Sequence, residues 1–224
     1  MFKRGLFITF EGVDGVGKTT QAKRLKDYLT QPIALQDYLN VHRPPVLLTA
    51  EPGGTPLGET IRQLLLDPAG PHIGMRAEAL LYAADRAQHV AEVIKPALEE
   101  GRTVICDRYT DSTVAYQAGG RGLDAGDIGR LNEWATGGLK PDRTYLLDLA
   151  PSSRRLTERK RDRLEQESSE FQDRVRQKFL DLAAQYPERI MVLDGSLSRD
   201  QVEKLIRADV DRILAERASA CISE

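Results

Sequence analysis

Cysteine is almost missing from this sequence: its 224 residues include only Cys106 and Cys221, far apart and in no paired motif. That excludes a disulfide scaffold and a cysteine-built zinc site, and it fits a reducing compartment. A surplus of one charge is missing too, with 32 basic residues against 34 acidic ones and a net charge of -2. A dedicated nucleic-acid binder carries a basic excess, so no nucleic-acid partner is expected. Long apolar runs are lacking. The first, Leu6 to Phe10, meets Glu11 before it reaches the ~7–15 apolar residues of a signal peptide or the ~20 of a membrane span. The expectation is a cytoplasmic chain with no membrane partner. His42, His72 and His89 are scattered without metal-ligand spacing and read as structural or surface residues.

What remains is an ordinary globular composition, 41% hydrophobic, in a chain long enough to bury roughly 70% of its unfolded surface without a staple. Near-continuous apolar runs at Leu6–Phe10, Val46–Thr49, Thr103–Cys106, Tyr145–Leu149 and Ile190–Leu193 read as strands buried on both faces. Helical periods lie between them. Residues 168–186 put Phe171, Val175, Phe179, Leu182 and Tyr186 on one face, and residues 198–217 do the same with Val202, Leu205, Ile206 and Ile213, leaving Asp209 on the far side. Ser198 and Gln201 have the spacing of a capping box. Alternating strand and helix predicts an α/β fold in one domain, residues 1–224. Pro44-Pro45 and Gly137-Gly138 read as local turns, and Gly119-Gly120 reads equally as a hinge or a helix C-cap. Trp134 is expected in a core or an interface.

Directly after the first strand the chain runs Gly12-Val13-Asp14-Gly15-Val16-Gly17-Lys18-Thr19. Gly, four residues, Gly, Lys and Thr is the phosphate-loop template. Glycines allow a compressed turn whose backbone N–H groups surround phosphates, and the next helix points its positive N-terminal end at the same anion. Lys18 supplies a mobile charge for the outer phosphates, and the Thr19 hydroxyl is a Mg²⁺ ligand. A dinucleotide fingerprint would need Gly-x-Gly-x-x-Gly, which this order of glycines is not. The site is therefore one for a nucleoside triphosphate. Guanine switches carry Asn-Lys-x-Asp, and no such string occurs. At Asp107-Arg108 an apolar strand ends in a carboxylate and a guanidinium, where parallel sheets gather active-site groups, though a strand-end ion pair would look the same. From Arg154 to Arg163 six residues in ten are basic, with only Glu158 and Asp162 to offset them. Such a run is either a solvated helix face or an anion-seeking flap.

The motifs Glu11-Gly-Val-Asp-Gly-Val-Gly-Lys-Thr-Thr20, Glu51-Pro-Gly-Gly-Thr55, Leu81-Tyr-Ala-Ala-Asp-Arg-Ala-Gln-His89, Asp107-Arg-Tyr-Thr-Asp-Ser-Thr-Val-Ala-Tyr-Gln117, Gly119-Gly-Arg-Gly122 and Asp162-Arg-Leu-Glu-Gln-Glu167 carry a resemblance. From Leu6 to about Leu214 the chain resembles the bacterial thymidylate kinases. The resemblance implies a P-loop kinase fold: a five-stranded parallel sheet with helices on both faces, an acceptor-nucleotide region near residues 50–120 and a small lid at 151–167. It also implies ATP and Mg²⁺ as cofactors, dTMP as substrate, and a homodimer packed through helices near residues 75–95 and 110–135.

The implied roles fall on individual residues. Gly12, Val13, Asp14, Gly15, Val16, Gly17, Lys18, Thr19 and Thr20 would hold ATP, with Thr19, Asp14 and Asp107 about the metal. Arg108 would bridge the two phosphates, Arg86 and Thr113 would read the thymine edge, and Tyr116 would crowd the 2′ position of the sugar. Glu51, Tyr82, Ser112 and Gln117 complete the acceptor site. The phosphate loop has no arginine, so the resemblance implies that Arg159, with Arg161 or Arg163 assisting, reaches the transferring phosphate from the lid. Two departures stand out: Tyr82 where relatives more often have Phe, and Ala50 where they often have Arg. The alternatives are a kinase for another nucleoside monophosphate or for a deoxynucleoside, and a protein that binds ATP as a signal.

Overall fold

The computed structural model describes residues 4–31, 45–150 and 162–222. Arg159, Arg161 and His42 lie outside them. Each of the five apolar runs forms a strand, with bounds displaced by one or two residues. They are β1 (Phe7–Glu11), β2 (Val46–Ala50), β3 (Thr103–Asp107), β4 (Arg143–Asp148) and β5 (Ile190–Asp194). All pair in parallel, in the order β2-β3-β1-β4-β5. Parallel neighbours need crossover connections, which is why helical sequence separates every pair.

Side chains alternate across the pleat into two cores. Ile8, Phe10 and Ile105 pack with Ala22, Leu25 and Leu29 of α1 (Lys18–Thr30) and with Val202, Ile206 and Val210 of α8 (Arg199–Ile222). Phe7, Val104 and Cys106 face the other way, onto Val90, Ile94 and Leu98. Burial on both faces therefore holds for the central strands. It fails at the rims: β2 is half-buried throughout, and Val192 of β5 is 46% exposed, because an edge strand has a neighbour on one side only.

The remaining helices are α2 (Pro56–Leu66), α3 (Met75–His89), α4 (Lys95–Glu99), α5 (Thr110–Thr113), α6 (Ala125–Thr136) and α7 (Ser169–Gln185). A π-helical turn, Val90–Ile94, joins α3 to α4, and a longer one, Val114–Gly120, continues α5. The capping box at α8 forms as expected: Ser198 N donates to Gln201 Oε1 at 3.0 Å, and Gln201 N donates to Ser198 Oγ at 3.2 Å.

Four expectations are corrected. Asp209 does not lie on the far side of α8; it accepts hydrogen bonds from Arg143 Nε at 2.8 Å and the Tyr145 hydroxyl at 2.9 Å, so a polar pair interrupts the apolar stripe. Tyr186 leaves the buried face because α7 ends at Gln185. Trp134 is 83% exposed, which removes the core from its two expected places. Gly119 and Gly120 are neither hinge nor cap. A Cβ on Gly120 would sit 2.5 Å from the Phe171 ring and one on Gly119 would sit 2.6 Å from Lys178 Cβ, so both allow the π-helical stretch to press against α7.

Candidate functional site

The carboxyl ends of β1, β2 and β3 converge, and a cavity of about 830 Å³ opens beyond them. That volume is near the upper end for a small-molecule site. The phosphate loop forms one end. Gly12, Gly15 and Gly17 have φ of 130°, 80° and 102°, a region that side chains rarely adopt. A Cβ on Gly12 would also lie 2.3 Å from the Leu147 carbonyl oxygen, so both the turn and its seat on β4 require glycine. Asp14, Gly15, Gly17, Lys18, Thr19 and Thr20 line the cavity, while Gly12, Val13 and Val16 support it from behind.

Lys18 is almost wholly buried and donates to the Val13 carbonyl at 2.8 Å. Burial, followed by the nearby Arg108 cation, pushes its ammonium down to about 8, against the pull of Asp14, Asp107 and Glu11. An anion in the loop restores the charge, so binding above pH 8 must take up a proton. Calorimetry of ADP binding near pH 8.5, in buffers of different ionisation enthalpy, is expected to show uptake approaching one proton. The uptake should vanish in Lys18→Met; its absence from the parent protein would contradict the assignment.

Asp107 and Thr19 meet, with the Thr19 hydroxyl donating to Asp107 Oδ2 at 2.5 Å. Hard oxygens of this kind suit Mg²⁺. Asp14 turns elsewhere. Its oxygens accept from Arg108 Nη2 at 2.5 Å and from the Tyr116 hydroxyl at 2.8 Å. Burial would raise this carboxyl, but Arg108, Lys18 and the Tyr116 hydroxyl outweigh it and hold it well below the usual carboxylate range. Arg108 also reaches Gly12 O at 3.1 Å and Ser112 Oγ at 3.0 Å, which places its guanidinium between the loop and the acceptor wall. Among the described residues it alone has a positive φ without being glycine, at 73°.

The acceptor wall centres on Arg86, 2% exposed. Its Nε donates to Glu51 at 2.8 Å, Nη1 donates to Thr113 and Asn132, both at 2.8 Å, and Nη2 donates to the Tyr109 carbonyl at 3.0 Å. Four of the five N–H groups of a guanidinium are thus taken, leaving one for a ligand. Tyr82, Ser112, Thr113, Tyr116 and Gln117 line the same cavity, and Ala50 stands at its rim. Burial, then Glu78, keeps the Tyr82 phenol protonated well above its ordinary range.

Glu51 lines the cavity but spends its second oxygen on His89 Nδ1, 2.9 Å away, whose Nε2 meets Thr49 Oγ1 at 2.7 Å. Cys106 completes a buried trio with Glu51 and His89, ligand atoms within 4.8 Å of one another. Its thiol already donates to the Arg108 carbonyl at 3.0 Å, so the trio reads as a hydrogen-bonded support and not as a metal centre. Asp85 lies beneath the same loop. One oxygen accepts from Gly53 N at 3.0 Å, and the other is buried without a partner. Burial and the Glu51 charge raise Asp85 to about 6. A carboxyl raised on folding stabilises fully below its unfolded value of 3.8 and loses that contribution as pH rises through 6. Asp85→Asn is therefore expected to melt higher than the parent at pH 8, by about 1–3 kcal/mol, with the difference closing near pH 4. Equal melting points at pH 8 would contradict this.

Several site residues escaped the sequence. Arg62 and Arg199 line the cavity from outside every motif, and Asp162 and Glu165 line it from the Asp162–Glu167 motif, to which the sequence assigns no role. Glu11, wholly buried, accepts from Tyr109 N at 2.8 Å and from the Ser112 hydroxyl at 2.5 Å. Arg163 is engaged away from the phosphate loop. Its Nη2 lies 2.6 Å from Glu78 Oε2, an ion pair without hydrogen-bond alignment, and its Nε donates to the Leu65 carbonyl at 2.9 Å. These contacts tie the end of the basic segment to α2 and α3.

A loop of backbone amides with its lysine faces a wall centred on Arg86 across one cavity, with Arg108 between the two. That geometry suits moving a phosphoryl group between two bound nucleotides, which is the work of a nucleoside monophosphate kinase. Comparison with known proteins narrows the class. The profile of the family described as "Thymidylate kinase" matches residues 10–206. The thymidylate kinase of Bifidobacterium longum subsp. infantis is 53% identical over 219 residues, 96% of this chain and 90% of that one. The thymidylate kinase of Symbiobacterium thermophilum is 46% identical over 95% of each chain. The crystal structure of thymidylate kinase from Ehrlichia chaffeensis superposes with a TM-score of 0.71 at 35% identity, covering 92% of this chain and 99% of that one. The chain belongs to the thymidylate kinase family.

Proposed function

We propose that this protein transfers the γ-phosphoryl group of ATP to dTMP, with Mg²⁺. An oxygen of the dTMP phosphate attacks the γ-phosphorus, the bond to the β-phosphate oxygen breaks, and ADP leaves. The attacking group is already an anion, so no general base is needed, and positioning with charge stabilisation supplies the rate. The observation that carries this reading is Arg108, bonded to the phosphate loop at Gly12 and Asp14 and to the acceptor wall at Ser112. In this account Lys18 and the loop amides hold the ATP phosphates, while Thr19 and Asp107 ligate Mg²⁺. The remaining Arg86 donor and the Thr113 hydroxyl read the base, and Tyr116 closes against the sugar.

The test follows ADP formation from ATP. It should require both dTMP and a divalent ion, and stop when EDTA removes the ion. ADP formed equally fast without dTMP would favour an ATP-binding regulator.

Arg159 and Arg161 belong to the same proposal through the sequence alone, since the loop positions 13–16 offer no arginine. Arg159→Ala and Arg161→Ala are each expected to lower kcat ~10²-fold with little change in the KM for dTMP. Unchanged turnover in both would remove the lid arginines from the mechanism. The account further holds that residues 1–224 form one cytoplasmic domain that pairs as a homodimer. No helix among the described residues is long and apolar enough to cross a membrane. The exposed Leu80 and Trp134, on α3 and α6, support pairing through those helices.

A further inference from the structure

We propose that Glu11 positions Arg108: its buried carboxylate holds the 108–112 turn and, through the Ser112 hydroxyl, aims the guanidinium at the transferring phosphate. This inference rests on the role of Arg108 given above. Glu11 is the last residue of β1, where backbone pairing with β3 runs out. Arg108 N still donates to the Phe10 carbonyl at 2.9 Å, as the final rung. The chain then turns away, with Arg108 in the left-handed region that a side chain disfavours.

From there the Glu11 side chain takes over as acceptor. Oε1 receives Tyr109 N at 2.8 Å and Ser112 N at 3.3 Å, and Oε2 receives the Ser112 hydroxyl at 2.5 Å. A carboxylate can accept all three, whereas an amide offers one oxygen. With its proton committed to Glu11, the Ser112 oxygen presents a lone pair to Arg108 Nη1 at 3.0 Å. The relay thus runs from Glu11 through Ser112 to the guanidinium that faces Asp14. A cap on the short helix α5 would explain the N–H contacts, but it would not need the hydroxyl link.

Glu11 also carries a charge that responds to pH. Burial and the Asp111 carboxylate raise it to about 7, against Arg108 and the Ser112 and Tyr109 hydrogen bonds. Lys18, Arg86, Arg189 and Cys106 are the other ionisable groups that feel its field.

Glu11→Gln and Ser112→Ala would be measured alone and on an Arg108→Met background, for kcat, the KM for dTMP and ADP affinity. Glu11→Gln is expected to lower kcat ~10²-fold, the loss that follows a displaced catalytic group. The dTMP KM and ADP affinity should move less than about threefold. Ser112→Ala should lose about tenfold and carries the test if Glu11→Gln does not fold. On the Arg108→Met background neither change should lower kcat by more than about twofold, because residues acting through one another are not additive. The ratio of parent to Glu11→Gln kcat should rise with pH through about 7, since substrate titrations cancel in it. A full kcat in both single variants, or losses repeated in full on the Arg108→Met background, would overturn this proposal alone. An Arg108→Met enzyme with full kcat would overturn it together with the role of Arg108.

Discussion

Arg108→Met is expected to lower kcat about 10³-fold while ADP affinity stays within about threefold. The guanidinium is bonded to both halves of the cavity, at Gly12 and Asp14 on one side and Ser112 on the other. Charge builds on the oxygens between donor and acceptor during transfer, so a cation fixed there is worth more at the transition state than in either ground state. Methionine keeps the length and removes the charge. Arg108→Lys should recover only part of the rate, because a point charge cannot span contacts made by a planar fork. Single-turnover quench measurements separate this from slow product release. A loss under about tenfold would reduce Arg108 to a structural ion pair.

Arg86→Met is expected to cost about 3–5 kcal/mol of folding stability and to raise the dTMP KM, through one cause. The side chain, 2% exposed, holds Glu51, Thr113, Asn132 and the Tyr109 carbonyl. Removing the guanidinium leaves the Glu51 carboxylate buried against His89 alone. A domain is stable by only ~5–15 kcal/mol, so the urea midpoint should fall visibly. Adding Glu51→Gln should restore part of it by removing the stranded charge, but it should not restore the KM. An unchanged midpoint would mean that the network carries no net stabilisation.

Much of this was legible in the sequence because the signals are local. Five apolar runs became five strands, the glycine spacing became the phosphate loop, and Ser198 with Gln201 became the cap of α8. Pattern fails where a partner is distant in sequence. Asp209 looked like a solvent residue because Arg143 and Tyr145 are more than sixty positions away. Arg163 looked like its basic neighbours until Glu78 was placed beneath it. Gly119 and Gly120 resembled a hinge because the helix that crowds them starts about fifty residues later. Glu11 was hidden differently. It sits inside a familiar motif, yet its partners, Tyr109 and Ser112, lie on the turn after β3.

Substrate choice is the central claim, and one assay tests it most directly. Diphosphate formation with ATP and Mg²⁺ would be compared across the monophosphates of thymidine, deoxyuridine, uridine, deoxycytidine and deoxyguanosine. The account predicts strong preference for the thymidine compound, with uridine monophosphate below deoxyuridine monophosphate because Tyr116 closes against the sugar. Equal, slow turnover of all five would leave the phosphate loop as a triphosphate site and contradict the acceptor assignment of Arg86, Thr113 and Tyr116.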